Sequence, residues 1–310
     1  MMSPNFFLIG GPKCGTTALA RYLSDHPSVF LTEPKEPYYL AEDLRPMASS
    51  LFGIRTDDDY DRLFAAADPD RHNAVGEATT LYLSSPSAAQ AIAGRYPDAR
   101  LIAMVRDPVE VAAAYHMQMT VTFRDDVEDF ATAWDACDSR RAGAEVPPAC
   151  KVPRMLWYDE IPRFGRQLDR WHRHFPAEQL LVLSFDDFRR DPAAVYRTAL
   201  DFLDLPDDRR EHFARHNVAN VPRSRLMNRM YNSGLSQRTL LRIKRWLPDP
   251  VVERVRYLPR KILRRDQSRR PIDDGLRRRL EDHFRDDYAT ALSLVTTPSR
   301  HADAVAVGDA

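Results

Sequence analysis

The stretch that decides the fold is Phe6-Phe7-Leu8-Ile9-Gly10-Gly11-Pro12-Lys13-Cys14-Gly15-Thr16-Thr17, followed by Ala18-Leu19-Ala20-Arg21-Tyr22-Leu23-Ser24. The short apolar run over 5–9 predicts a strand buried on both faces, as in a parallel sheet. Gly10 to Gly15 form a tight loop. From Thr16 to Ser24 the apolar residues Ala18, Leu19 and Leu23 fall at helical spacing. A strand, a glycine-bounded loop and a helix in that order make a concavity into which successive backbone N–H groups and a helix N-terminus point. Such a concavity favours an anion such as phosphate. The nucleoside-triphosphate version of this loop reads G-x-x-x-x-G-K-[ST]. Here Gly10 and Gly15 have the right separation and Thr17 occupies the hydroxyl position. Thr16 stands where the lysine belongs, and Lys13 lies three residues earlier, inside the loop. Its ammonium is therefore aimed at a different part of the ligand.

Outward from this loop, strands and helices alternate. Strands are predicted near 28–32, 74–78, 100–105 and 179–185, and helices near 57–67, 86–95, 108–118, 160–174 and 192–203. This is an α/β pattern, a P-loop-type, mostly parallel sheet with helices on both faces. Residues 120–153 read as an insertion, helical near 130–141, and a long amphipathic helix follows Pro271. We read 1–296 as one domain, with a basic helical C-terminal part over 221–290 and a frayed tail over 297–310.

The segment Pro12-Lys13-Cys14-Gly15-Thr16-Thr17, with its lysine inside the loop, resembles the sulfotransferases that use 3′-phosphoadenosine 5′-phosphosulfate (PAPS). The resemblance implies that Pro12, Lys13, Cys14, Gly15, Thr16 and Thr17 cradle the 5′-phosphate and that Lys13 is also catalytic, stabilising the bridging oxygen as sulfuryl leaves. A second segment, Arg106-Asp107-Pro108-Val109-Glu110, closes the strand over 100–105 and opens a helix. It resembles the family's 3′-phosphate motif and implies that Arg106 is a cofactor ligand. The family's serine eight residues later is Ala114 here, a departure that removes one hydroxyl. Ser184-Phe185-Asp186-Asp187-Phe188 and Asp191-Pro192 resemble the family's scaffold elements. Ser268-Arg269-Arg270-Pro271 resembles its basic loop over the 3′-phosphate, which makes Arg269 and Arg270 further cofactor ligands.

Sulfuryl transfer to a hydroxyl needs a group to take the acceptor proton and a cation for the leaving oxygen. No histidine stands in the region near 74–80, where the small-molecule branch carries its base. Lys35-Glu36-Pro37-Tyr38-Tyr39-Leu40 resembles the K-E-x-x-[FY]-[FY] setting of the heparan-type branch. That likeness makes Glu36 the base, with Lys35 and Tyr38 as acceptor-site residues; Glu77 is the reserve base, since the family often has a glutamate at that place, and His116, near Ala114, is a further acceptor-site residue. It also tilts the acceptor towards a carbohydrate or other alcohol. Sulfuryl transfer requires no metal, and the sequence holds no metal-ligand cluster, so none is expected.

Composition bounds the rest. The 310 residues, 44% hydrophobic and 29% charged, suffice for a sizeable core. No apolar run approaches the ~18 residues of a membrane span, and Cys14, Cys137 and Cys150 fit a reducing, cytoplasmic setting. The formal charge of +0 argues against nucleic acid as a partner. It conceals a segregation, because residues 221–290 carry 19 basic and 9 acidic residues, a net +10. Only five of the 45 basic residues are lysines, and Lys13 and Lys35 are two of them. Two other readings stay open at this point: a P-loop nucleotide kinase, and a non-catalytic module that binds a nucleotide or polyanion.

Overall fold

A computed structural model describes residues 2–214, 220–222, 264–266 and 272–297. Five strands form one sheet: β1 (Phe6–Gly10), β2 (Val29–Leu31), β3 (Ala74–Ala78), β4 (Arg100–Val105) and β5 (Leu180–Ser184). Their order is β2-β3-β1-β4-β5 and every pairing is parallel. A further pair, β6 (Asn220–Pro222) and β7 (Arg264–Asp266), is antiparallel. The helices are α1 (Thr16–Ser24), α2 (Arg45–Met47), α3 (Asp57–Asp61), α4 (Ala88–Arg95), α5 (Pro108–Val121), α6 (Phe130–Asp135), α7 (Cys137–Arg141), α8 (Phe164–His172), α9 (Phe185–Arg190), α10 (Pro192–Phe202) and α11 (Asp274–Ser293). The sheet flanked by helices is the expected α/β architecture, and among the described residues its main sheet is wholly parallel.

Every residue of β1 and β3 is buried, as is all of β4 beyond Arg100. That is why these strands read as continuous apolar runs rather than alternating ones. β3 approaches β1 closely because Gly76 faces Phe6; a Cβ at Gly76 would sit 2.4 Å from the Phe6 carbonyl oxygen. The topology also fixes where a ligand can sit. The chain leaves β1 towards β2 on one side and leaves β4 towards β5 on the other. A crevice therefore opens beyond the carboxyl ends of β1 and β4, where open α/β sheets bind ligands. Gly10 ends one of these strands and Arg106 follows the other.

Buried polar contacts close one outlying segment on itself and tie another to this frame. Asp125, at the head of the 120–153 segment, receives two hydrogen bonds from Arg140 at 2.8 and 2.9 Å and one from the Tyr158 hydroxyl. Both side chains of the ion pair are wholly buried. α11 is fixed through Asp287, whose carboxylate accepts the Gly165 and Arg166 N–H groups at 3.1 and 2.9 Å. It thereby caps the N-terminus of α8 from a distant part of the chain, satisfying donors that the helix itself cannot pair.

The buried Asp125–Arg140 pair yields a test of how the 120–153 segment is held. Asp125→Ala strands the Arg140 guanidinium without its counter-charge and should cost about 3–5 kcal/mol. Chemical denaturation should show a lowered midpoint; a midpoint within error of the unaltered protein would contradict the assignment.

Candidate active site

The loop between β1 and α1 is shaped by its glycines. Gly15 caps α1 with φ 90°, a left-handed conformation that favours glycine, and a Cβ there would meet the Phe185 ring at 3.0 Å. Lys13 also adopts a positive φ of 63°. The Gly11 N–H is taken by the Met104 carbonyl of β4 at 2.6 Å, which joins the loop to the neighbouring strand. The N–H groups of Gly15, Thr16 and Thr17, by contrast, find no acceptor among the described residues. They are the orphan donors of a helix start, gathered at the mouth of the crevice. This is the property that a phosphate cradle requires.

Lys13 is half-buried, and its Nζ donates to Gln118 Oε1 on α5 at 3.2 Å. Arg106 donates to the Lys13 carbonyl oxygen at 3.2 Å, lies 4.5 Å over the Phe185 ring and pairs with Glu110 at 3.6 Å. Glu110 in turn receives Arg277 of α11 at 3.0 Å. Phe185 thus supports both the loop glycine and the arginine beside it, which explains why the Ser184–Phe188 segment reads as scaffold. Cys14 is buried and its thiol donates to the Pro12 carbonyl; burial pushes that thiol's pKa far up, so the residue offers the crevice only its backbone.

Lys35 bridges the loop to the acidic residue beside it. Its Nζ lies 3.4 Å from Thr17 Oγ1 and 3.3 Å from Glu36 Oε1. Glu36 has φ 66° and Tyr38 φ 60°, so the turn that carries them is held in an uncommon conformation at two side chains aimed at one place. The Glu36 carboxylate also accepts from Thr80 Oγ1 at 3.0 Å and from the Tyr38 hydroxyl. Burial pushes its pKa up, but Lys35 and these hydroxyl donors outweigh burial and hold it below the usual carboxylate value. Glu36 is therefore ionised at neutral pH and keeps part of its surface open.

Glu77 contrasts with it in exposure and in the direction of its pKa shift. It lies on β3 at 0% exposure, and its oxygens accept hydroxyl hydrogens from Tyr60, Tyr82 and Thr79 at 2.8–2.9 Å. Burial dominates over these bonds and raises its pKa to about 7. The Tyr82 hydroxyl meanwhile accepts the Leu40 N–H at 3.0 Å, so the carboxylate braces the segment that follows Glu36 rather than facing the crevice.

The remaining expectations fall elsewhere. His116, read from sequence as an acceptor-site residue, is buried; its ring nitrogen meets the Val127 carbonyl at 2.8 Å, and the ring packs against Phe130 and Tyr158. It faces the 120–153 segment because the helix phase that aims Lys13's partner Gln118 at the loop turns His116 away. Ala114 is likewise buried and supplies no polar group where the family motif has serine. Arg269 and Arg270 lie outside the described residues. Sequence reading missed Gln118 and Thr80. The Tyr115 hydroxyl is buried without a partner among the described residues, and the charges of Arg124 and Glu36 both act on it. Among the described residues no group of three or more metal-ligating side chains occurs, and no helix is long and apolar enough to cross a membrane.

The buried state of Glu77 has a measurable signature. Its folded pKa lies above the ordinary value near 4.5, so the folded protein retains a proton that the unfolded chain releases. Stability from this group is full below about pH 4.5 and is lost as pH rises towards 7. Glu77→Gln should flatten the fall in Tm between pH 5 and pH 8, measured by differential scanning calorimetry. An unchanged slope would contradict the assignment.

Comparison with known proteins gives this geometry a lineage. The family profile described as "Sulfotransferase family" matches residues 4–209. A bifunctional heparan sulfate N-deacetylase/N-sulfotransferase 1 from Caenorhabditis briggsae is 25% identical over 73% of the chain and 25% of its own length. Heparan sulfate glucosamine 3-O-sulfotransferase 3B1 from Mus musculus is 29% identical over 65% of the chain and 46% of its own length. The chain spans about a quarter of the length of the first curated relatives it matches. The crystal structure of a sulfotransferase from Alicyclobacillus acidocaldarius superposes with a TM-score of 0.66 at 25% identity, covering 95% of this chain and 96% of that one. Loop, crevice and comparisons agree: the chain belongs to the sulfotransferase family.

Proposed function

We propose that the chain transfers a sulfuryl group from PAPS to a hydroxyl of a carbohydrate or other alcohol, releasing adenosine 3′,5′-bisphosphate. The observation that carries this reading is the joining of an orphan N–H cradle to an ionised carboxylate through one lysine. The cradle is formed by Gly15, Thr16 and Thr17, and Lys35 spans from Thr17 to Glu36. The residues fit the cosubstrate. Three unpaired donors suit a 5′-phosphate, Lys13 and Arg106 add positive charge beside them, and Gly15 leaves room that a Cβ would fill. PAPS supplies the activated sulfur when bound.

The chain's own groups then have distinct tasks. Glu36, ionised and held by Tyr38 and Thr80, takes the proton from the acceptor hydroxyl as its oxygen bonds to sulfur. Lys13 stabilises the charge that develops on the phosphate oxygen as its bond to sulfur breaks, and moves from Gln118 to do so. Arg106 anchors the 3′-phosphate end, with Phe185 fixing its plane. Lys35 orients Glu36 and places positive charge next to the sulfuryl group. Glu77 acts by bracing the Glu36 segment through Tyr82, which favours Glu36 over Glu77 as the base. His116 serves in packing the 120–153 segment. The kinase reading lacks support, since Thr16 replaces the lysine on which the triphosphate loop depends.

Two measurements test this. Adenosine 3′,5′-bisphosphate should raise the Tm without added Mg²⁺, whereas stabilisation only by Mg-ATP would overturn the reading. With a panel of glycans, phenols, sterols and alcohols, sulfate transfer from PAPS is to be read by product mass. Glu36→Gln should lower kcat by roughly 10²–10⁴-fold, and Lys13→Ala by roughly 10²–10³-fold, with protein stability retained. Variants as active as the parent enzyme would contradict the named roles.

A further inference from the structure

The helix α11 packs on α5, α6 and α8. Its Leu280 and Phe284 cluster with Val109 of α5, and Phe130 and Trp134 of α6 lie against them. The approach to α8 is close, since a Cβ at Gly165 would sit 2.4 Å from the Asp287 carbonyl oxygen. Two residues of α11 also bear on the cosubstrate crevice. Arg277 donates to Glu110, which pairs with Arg106. The charges of Asp107, Asp186 and Arg106 act on Tyr288. Whatever holds α11 in place therefore acts on Arg106 as well.

Between Arg277 and Tyr288 stands His283. Its Nε2 lies 2.7 Å from Nη2 of Arg163, the residue that precedes α8. A guanidinium has donors only, so Nε2 accepts and the proton of the neutral ring belongs on Nδ1. The same ring stands edge-on to Trp134 of α6, with centroids 5.3 Å apart, and Arg163 lies 5.7 Å over the Phe284 ring. One imidazole thus joins α6, the head of α8 and α11. It has no place for a second proton there: an imidazolium would turn N–H towards N–H and set two cations 2.7 Å apart.

The charged groups around the ring are Arg163, Asp159 and Glu160 from the chain before α8. Asp159 pairs with Arg141 and Glu160 with Arg166. On α11 itself, Arg279 one turn earlier pairs with Asp135 of α6, and Asp287 one turn later is taken up by the Gly165 and Arg166 N–H groups. Burial and Arg163 hold the His283 pKa below the usual histidine value, against the Asp159 backbone and the Asp159 and Glu160 carboxylates. The hold of His283 on Arg163 is therefore full above about pH 6.5 and is lost as pH falls through the folded value.

We propose that His283 is a positioning residue of the cosubstrate site: its neutral ring pins α11 to the head of α8, and a second proton on the ring frees α11 and slackens the hold of Arg277 and Glu110 on Arg106. The proposal rests on the sulfotransferase reading above and adds to it a loss of cosubstrate affinity in acid that originates outside the crevice.

The test follows binding of adenosine 3′,5′-bisphosphate to the full chain by calorimetry at pH 8 and pH 5. The ligand's phosphates have a second pKa of about 6, so each variant is read as a ratio to the unaltered protein, in which the ligand's own titration cancels. His283→Gln keeps an acceptor for Arg163 and cannot take up a proton. It should match the unaltered protein at pH 8 and bind about fivefold tighter than it at pH 5. His283→Lys, a fixed cation, should bind about fivefold weaker than the unaltered protein at pH 8. Equal affinity of His283→Gln and the unaltered protein at pH 5, or of His283→Lys and the unaltered protein at pH 8, overturns the proposal. Hydrogen exchange of the unaltered protein gives a readout without substitution. Scaled to intrinsic exchange at each pH, α11 should lose protection at pH 5 while α1 keeps it, and equal protection of α11 at both values overturns the proposal. Failure of the unaltered protein to bind the bisphosphate at pH 8 overturns the sulfotransferase reading and this proposal with it.

Discussion

The turn at the end of β1 leaves three N–H groups without acceptors among the described residues, and the arrangement of the crevice follows from that deficit. These donors stand at the mouth of the crevice, and the turn that presents them is fixed by its surroundings. Gly15 can take φ 90° because it has no Cβ to strike Phe185. Phe185 in turn carries Arg106, and Arg106 holds the Lys13 carbonyl. The loop, the second strand end and the first turn of α9 therefore form one rigid unit around an anion-shaped gap. α11 adds to it from outside through Arg277 and Glu110.

Two glutamates close together in this frame behave as different chemical groups. Glu36 is drawn down by Lys35 and two hydroxyls, whereas Glu77 is driven up by complete burial despite three hydroxyl donors. Divergent environments of this kind are how a protein separates a base from a structural or acidic carboxyl. The link between the two is mechanical: Glu77 holds Tyr82, Tyr82 holds the Leu40 N–H, and Leu40 ends the turn on which Glu36 stands.

Much of this was legible in the residues. The bounds of α1, β3 and β4 follow from apolar runs, glycines and Pro108, and they coincide with the observed elements. The region around Phe185 did not: an apolar run over 179–185 reads as strand throughout, yet the Ser184 hydroxyl accepts the Asp186 and Asp187 N–H groups and starts α9 at Phe185. That side-chain cap, rather than hydrophobic pattern, places Phe185 under Arg106. Gln118 carries no sequence signal because its partner lies over a hundred residues away, and His116 faces Val127 instead of the loop because helix residues two apart point to different sides. The arginines along α8 are legible in the sequence. Arg163, Arg166, Arg170 and Arg173 recur every three or four residues, the spacing that puts side chains on one helical face.

The central claim is that the loop is the cosubstrate cradle, and a crystal structure with adenosine 3′,5′-bisphosphate bound tests it most directly. The account expects the 5′-phosphate within hydrogen-bond distance of the Gly15, Thr16 and Thr17 N–H groups, with Lys13 Nζ released from Gln118 and turned towards it. A nucleotide bound elsewhere, or a phosphate that leaves those three donors unpaired, would contradict it.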